Sequence, residues 1–200
     1  MKHLLVVVLV CLGFLLSGCS SQSNTPAPAE KPQPKAPEAI TGRTAFQKLY
    51  ISARGWARDA QPYRLQSDIT GDAKGRDGKA PVWRGYFASP SQRATKPYTW
   101  AKGDIEPGTI DSYSPSNSST QVFDIAFLKV DSDKAFEVAQ KHGGDKIVEK
   151  NPDIGVLYVL DWSNATSELI WHVMYGNSRD DTKLRVAVNA SNGEFIRVEK

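Results

Sequence analysis

Thr182-Lys-Leu-Arg-Val-Ala-Val-Asn-Ala-Ser-Asn-Gly-Glu-Phe-Ile-Arg-Val-Glu199 decides the fold class. Leu184, Val186 and Val188 alternate with Arg185, Ala187 and Asn189, the period of two expected of a strand with one face buried. Asn192-Gly193 then predicts a two-residue hairpin turn, because both positions tolerate positive φ. The stretch therefore reads as strand Thr182 to Ala190, turn, strand Glu194 to Glu199. Upstream, Gly155 to Trp162 and Glu168 to Tyr175 carry the same signal and extend the pair into an antiparallel sheet.

A helix is predicted just before these strands, from Asp131 or Ser132 to His142. Ala135, Val138 and Ala139 form its inner face, and Gly143-Gly144 is its stop. Gln121 to Val130 reads as a strand leading in. The first half of the chain carries a similar order. Phe46, Leu49, Tyr50, Ala53, Ala57 and Ala60 fall on one face of a helix from Thr44 to Ala60, which Pro62 is expected to end. Strands follow at Tyr63 to Thr70, Pro81 to Ala88 and about Lys96 to Ala101. Ala45-Phe46 matches Ala135-Phe136, and Val82-Trp83 with Tyr86 matches Ile170-Trp171 with Tyr175, at an offset near 88 residues. The expectation is an α+β protein of two repeated units, 40–118 and 119–200, each a helix packed on an antiparallel sheet.

The N-terminus is of a different kind. Lys2 and His3 precede an apolar run from Leu4 to Leu16, then Ser17-Gly18-Cys19, which is the order of an export signal over 1–18. The run is shorter than the roughly 18 residues that a spanning helix needs. Leu16-Ser-Gly-Cys19 resembles the bacterial lipobox. That resemblance implies cleavage before Cys19, a diacylglycerol thioether on its thiol, and acyl chains such as palmitate that hold the chain at a membrane. Ser20, rather than Asp, then implies the outer membrane of a diderm envelope, facing the periplasm. Residues 19–39 carry Pro26, Pro28, Pro32, Pro34 and Pro37 among Ala, Lys and Glu, a composition that favours an extended tether of about 3 Å per residue.

The cysteine count has consequences for chemistry. Cys11 leaves with the signal and Cys19 is consumed by lipid, so the folded part contains no thiol, no disulfide and no thiolate ligand. A formal net charge of +3 from interspersed acids and bases gives no run that would track a phosphate backbone, so no nucleic-acid partner is expected. Three or four convergent metal ligands are not visible; Ala135, Phe136 and His142 break the calcium-loop pattern begun at Asp131. Gly71 to Lys79 lacks the residues of a phosphate loop and reads as a solvated hairpin loop. No nucleophile-elbow serine occurs. Catalytic residues and cofactors are thus expected to be absent, and an enzyme would have to be a hydrolase with a dispersed site.

Asp133 to Gly144, Leu169 to Tyr175 and Leu184 to Val198 together resemble the PepSY family. That family pairs a short alanine-rich helix with a hairpin whose first strand has a central Trp and whose turn reads Asp-Ala-x-Thr-Gly-Glu; here the turn is Asn189-Ala-Ser-Asn-Gly-Glu194. Asn189 and Asn192 depart from the pattern. The resemblance implies a PepSY-like or cystatin-like arrangement and a non-catalytic binding role in the envelope, including peptidase inhibition, with no catalytic residues to carry over.

Trp83 and Trp171 are expected under the helices, given the area a tryptophan buries. Trp100 and Trp162 are the candidates for partner binding, should either lie at a strand end on an open face. His172 must point away from Trp171, while His142 is expected to face the last carbonyls of its helix. The implied partners are the membrane, through the lipid on Cys19, and an envelope protein or peptide. The alternative is a structural or assembly lipoprotein.

Overall fold

A computed structural model describes residues 38–71 and 73–199; the signal, Cys19 and nearly all of the tether lie outside them. The described chain enters through β1 (Ile40–Thr41) and turns into α1 (Gly42–Trp56). Ala45, Phe46, Leu49 and Ala53 are its buried stripe, on the face the spacing predicts. The helix ends four residues before Ala60, and Pro62 lies within the following strand. The end is a tertiary one. The Asp59 carboxylate accepts hydrogen bonds from the Ser89 hydroxyl (2.7 Å) and the Ser91 amide (2.8 Å) of the next hairpin, and these hold its pKa down to about 2.

The chain continues through β2 (Gln61–Asp68), β3 (Lys79–Ala80), β4 (Val82–Ser89), β5 (Ala94–Ala101), β6 (Asp104–Pro107) and β7 (Asp111–Ser112). The second half contains α2 (Ser132–Ala139), α3 (Asp145–Lys150), β8 (Val156–Ser163), β9 (Glu168–Gly176), β10 (Thr182–Asn189) and β11 (Phe195–Glu199). β1 pairs with β3. The other nine strands form one antiparallel sheet in the order β11-β10-β9-β8-β2-β4-β5-β6, with β7 also on β5. The α+β class is as expected, but the halves are not separate units: β2 and β8 join them through Arg64–Asp161, Leu65–Leu160 and Gln66–Val159. Read outward from that junction, β2-β4-β5-β6 and β8-β9-β10-β11 have the same order.

Five local expectations are corrected. Gln121 to Val130 is irregular, with a single 3-10 turn at Ile125–Phe127; the Phe123 amide bonds the Pro62 carbonyl and the Lys129 and Val130 amides share the Ala190 carbonyl, so no ladder forms. Gly143-Gly144 does not stop the second helix. It makes a wide turn over Gln140–Gly144, with Gly143 at φ 107°, after which α3 continues to Lys150. His142, off helical geometry, stacks on Phe195 at 3.7 Å instead of facing carbonyls. Asn192-Gly193 belongs to a longer loop that Asn189 organises, its Oδ1 accepting from the Ser191 and Asn192 amides; the turn with positive φ at both positions is Lys102-Gly103. Finally, the 71–79 loop is docked. Arg76 Nε donates to the Ile154 carbonyl (2.8 Å), the Val156 amide to the Lys74 carbonyl (2.7 Å) and the Tyr158 hydroxyl to Gly75.

The two helix N-termini meet at the centre of the core. Trp83 and Trp171 lie edge to face, 6.3 Å apart, and their Nε1 atoms donate to the Ile40 and Val130 carbonyls, each two residues ahead of a helix start and each at 2.9 Å. Gly42 sits against both rings; a Cβ there would come within 2.6 Å of Trp171 and 2.9 Å of Trp83. Thr41 provides no side-chain cap for α1. The α1 amides are satisfied from the other helix, Gly42 by Ser132 Oγ (2.7 Å) and Arg43 by Asp131 Oδ1 (2.8 Å), while Asp131 also caps α2 through the Ser132 amide. Orphan amides at a helix start need such acceptors.

Candidate functional site

Alternation divides the sheet into two chemically distinct faces. Leu65, Trp83, Trp100, Leu160, Trp171 and Val186 belong to the helix-covered core. Trp100 is 1 % exposed and lies opposite Trp83, so it has no surface to offer a partner. Trp162, on the same face at the end of β8, is half-buried and packs on Phe127 with ring centroids 5.2 Å apart.

The opposite face takes the intervening residues. Leu157, Ile170, Met174 and Ala187 are at most 3 % exposed yet stand outside the helix-covered core. Above this apolar floor come long charged side chains, whose aliphatic stems can cover apolar surface while their heads stay wet. Register places Arg64 beside Asp161, Val159 beside His172, and Arg185 between Met174 and Glu199.

His172 is the centre of this network. Its Nδ1 meets Glu199 Oε2 at 2.7 Å and its Nε2 meets Asp161 Oδ1 at 3.2 Å. Burial alone would lower its pKa; the hydrogen bonds and charges of Asp161 and Glu199 reverse that and raise it to about 9. The ring is therefore an imidazolium at neutral pH, donating from both nitrogens. For Asp161 and Glu199, burial pushes upward, but bonding to His172 and the neighbouring arginines leaves both below the ordinary carboxylate range. Arg64 bonds Asp161 at 3.0 Å and Arg197 bonds Glu199 at 2.8 Å.

Beside His172 is a depression of about 370 Å³, lined by Arg64, Gln66, Val159, Asp161, His172, Met174, Arg179, Asp180 and Arg185. Arg179 reaches into it from the β9–β10 loop and bonds Asp68 at 2.9 Å and the Ser67 carbonyl. Among the described residues no three His, Cys, Asp or Glu side chains are gathered as metal ligands.

A second feature lies on the helix side. α1 and the 122–128 segment enclose a groove of about 490 Å³ lined by Arg43, Phe46, Gln47, Tyr50, Ile51, Ile125 and Leu128. Ile51 is 74 % exposed, and Ile125 and Phe127 are each 42 % exposed. Of the two tryptophans singled out by the sequence, only Trp162 meets the 122–128 segment, where it packs on Phe127. Ile125 and Phe127 do not stand out in the sequence because the segment reads as a strand; Asp124, which caps the 3-10 turn through the Ala126 amide, is the local signal for the turn.

No family model matches the chain, and no curated protein matches it. Among solved structures it is similar to a protein of Clostridium difficile 630 provisionally named a lipoprotein, with a TM-score of 0.51 and 15% identity over 76% of this chain and 91% of that one. At that identity the likeness is one of fold.

Proposed function

We propose that this is a lipid-anchored, non-catalytic binding protein of the cell envelope, which engages a protein partner through the groove between α1 and residues 122–128. The observation that carries the reading is the exposure of Ile51 on one wall and of Ile125 on the other, with the exposed Phe127 two residues further along the chain. Contiguous apolar surface of this kind marks interaction sites. Arg43 stands on the α1 wall and Lys129 follows Leu128, while Arg54, Asp59 and Asp124 line an adjoining depression that shares Tyr50 and Ile125 with the groove. A partner segment with apolar side chains among acidic ones matches that rim.

The non-catalytic part is supported by His172. Both its ring nitrogens are engaged by carboxylates, so neither is free to take a proton from a substrate, as a general base must. The lipid anchor rests on Leu16-Ser-Gly-Cys19, and the structural neighbour's provisional name agrees in kind. Placement in the outer membrane rests on Ser20 alone. The paired strand orders, the two matched tryptophan bonds and the resemblance quoted above support an origin from two PepSY-like units fused through β2 and β8, with peptidase inhibition as the specific form of binding that follows.

The test places a photo-reactive amino acid at Ile51, at Ile125 or at the exposed Lys150 in the full lipid-bearing chain, in its own cells. Discrete adducts from the groove positions and none from Lys150 support the reading. Absence of any adduct at the groove, or the same pattern at all three positions, overturns it.

A further inference from the structure

Arg64, Arg179 and Arg185 come from β2, the β9–β10 loop and β10 and meet in the depression beside His172. Their guanidinium groups carry far more donors than the protein has acceptors for. The Nε atoms of all three are buried and without a hydrogen-bond partner among the described residues. Their remaining nitrogens reach only Asp161, Asp68 and the Ser67 carbonyl. Arg185 makes none of these bonds. Glu199, its register partner on β11, has one oxygen on His172 and the other on Arg197. A guanidinium fork matches a carboxylate in geometry as well as in charge.

We infer that this depression binds a small carboxylate ligand, with Arg185 as the principal anion contact and Arg64 and Arg179 at its sides. Four cations line the depression; together with Arg197 they face Asp68 and Glu199, already bonded to Arg179 and to His172 and Arg197, and the lining carboxylates Asp161 and Asp180, five positive charges against four negative ones. The surplus suits one negative charge, whereas a phosphate dianion would meet the two lining carboxylates at close range. Val159 and Met174 in the lining give the ligand's body an apolar support. A volume of about 370 Å³ lies at the lower end of the range for small-molecule sites, about 300–1,000 Å³. This site lies on the face of the sheet opposite the α1 groove, so it does not depend on the partner proposed there.

The test is an NMR titration of the mature lipid-bearing chain in detergent micelles, following the arginine Nε–Hε signals. Probes are N-acetylvalinate, the uncharged N-acetylvalinamide, and inorganic phosphate. The expected result is a saturable shift of the Arg185, Arg64 and Arg179 signals with N-acetylvalinate below about 10 mM, weak binding by the scale of free energies, and no saturable shift with the amide. Arg185→Lys keeps the charge and loses the fork, and Arg185→Met loses both; each should weaken binding at least about tenfold, as removing a charge-assisted bidentate contact does. Circular dichroism confirms that the variants fold. If either does not, the wild-type titration decides alone. Unchanged arginine signals, equal responses to acid and amide, or phosphate binding as tightly as N-acetylvalinate would each overturn the inference.

Discussion

Ser132→Ala should destabilise the protein far more than the loss of one small hydroxyl suggests. Ser132 is fully buried, and its Oγ accepts the Gly42 amide at 2.7 Å while donating to the Gly78 carbonyl. Alanine leaves both backbone groups unpaired in the core. At about 1–3 kcal/mol for each buried group without a partner, the loss of the Gly42 and Gly78 partners together is expected to be about 2–6 kcal/mol, while Asp131 still holds the Arg43 amide. With a urea slope of about 2 kcal/mol/M, the unfolding midpoint should fall by about 1–3 M. Tryptophan fluorescence and far-ultraviolet circular dichroism should give coincident curves, because the same serine ties a helix of one half to the start of the other. A loss below about 0.5 kcal/mol, the range of ordinary surface changes, would refute the capping argument. Two separate transitions would refute the interlock.

Three further outcomes are expected. Stability should decline as pH rises from about 6.5 to about 9, because His172 binds its proton more tightly in the folded state and that contribution, of order 3 kcal/mol at most, is complete below the unfolded pKa and lost through the folded one; His172→Gln should remove this slope, and urea midpoints across that pH range that stay flat in the parent protein would count against the imidazolium. Cys19→Ser should abolish labelling by radioactive palmitate and leave the uncut precursor on a gel, whereas retained label would place the lipid elsewhere. Trp100→Ala should cost about 3–5 kcal/mol as a buried aromatic truncation, while Phe127→Ala should cost under about 1 kcal/mol yet reduce adduct formation from Ile125, both read by urea unfolding and crosslinking of the same preparations.

The strands were legible because alternation has a period that survives any arrangement of neighbours. β8, β9 and β10 each start and end within one residue of where the pattern places them, and Trp171 and His172 fall on opposite faces as consecutive strand residues must. Errors fell where local signal and tertiary demand diverge. Asn192-Gly193 has the composition of a tight turn, but Asn189 captures two amides and widens the loop. Gly143-Gly144 looks like a helix stop, yet Gly144 lies against the Tyr175 ring with no room for a Cβ, and the chain resumes as α3. Trp100 offered no sign of which face its strand would bury.

From the residues alone came the expectation of an export signal and of lipid on Cys19, the α+β class, the similar order of helix and strands in the two halves, and the inward side of the strands that carry Trp83 and Trp171. Those depend on composition and on periods of two and 3.6 residues, which are properties of a chain taken by itself. The tertiary structure decided that the halves share one sheet, that Ser132 and Asp131 cap the other helix, and that Arg64, Asp161, His172, Arg179, Arg185 and Glu199 meet on one face. Period tells which way a side chain points; only strand order and register tell what stands beside it, and a charged group's pKa and binding capacity follow from that neighbour.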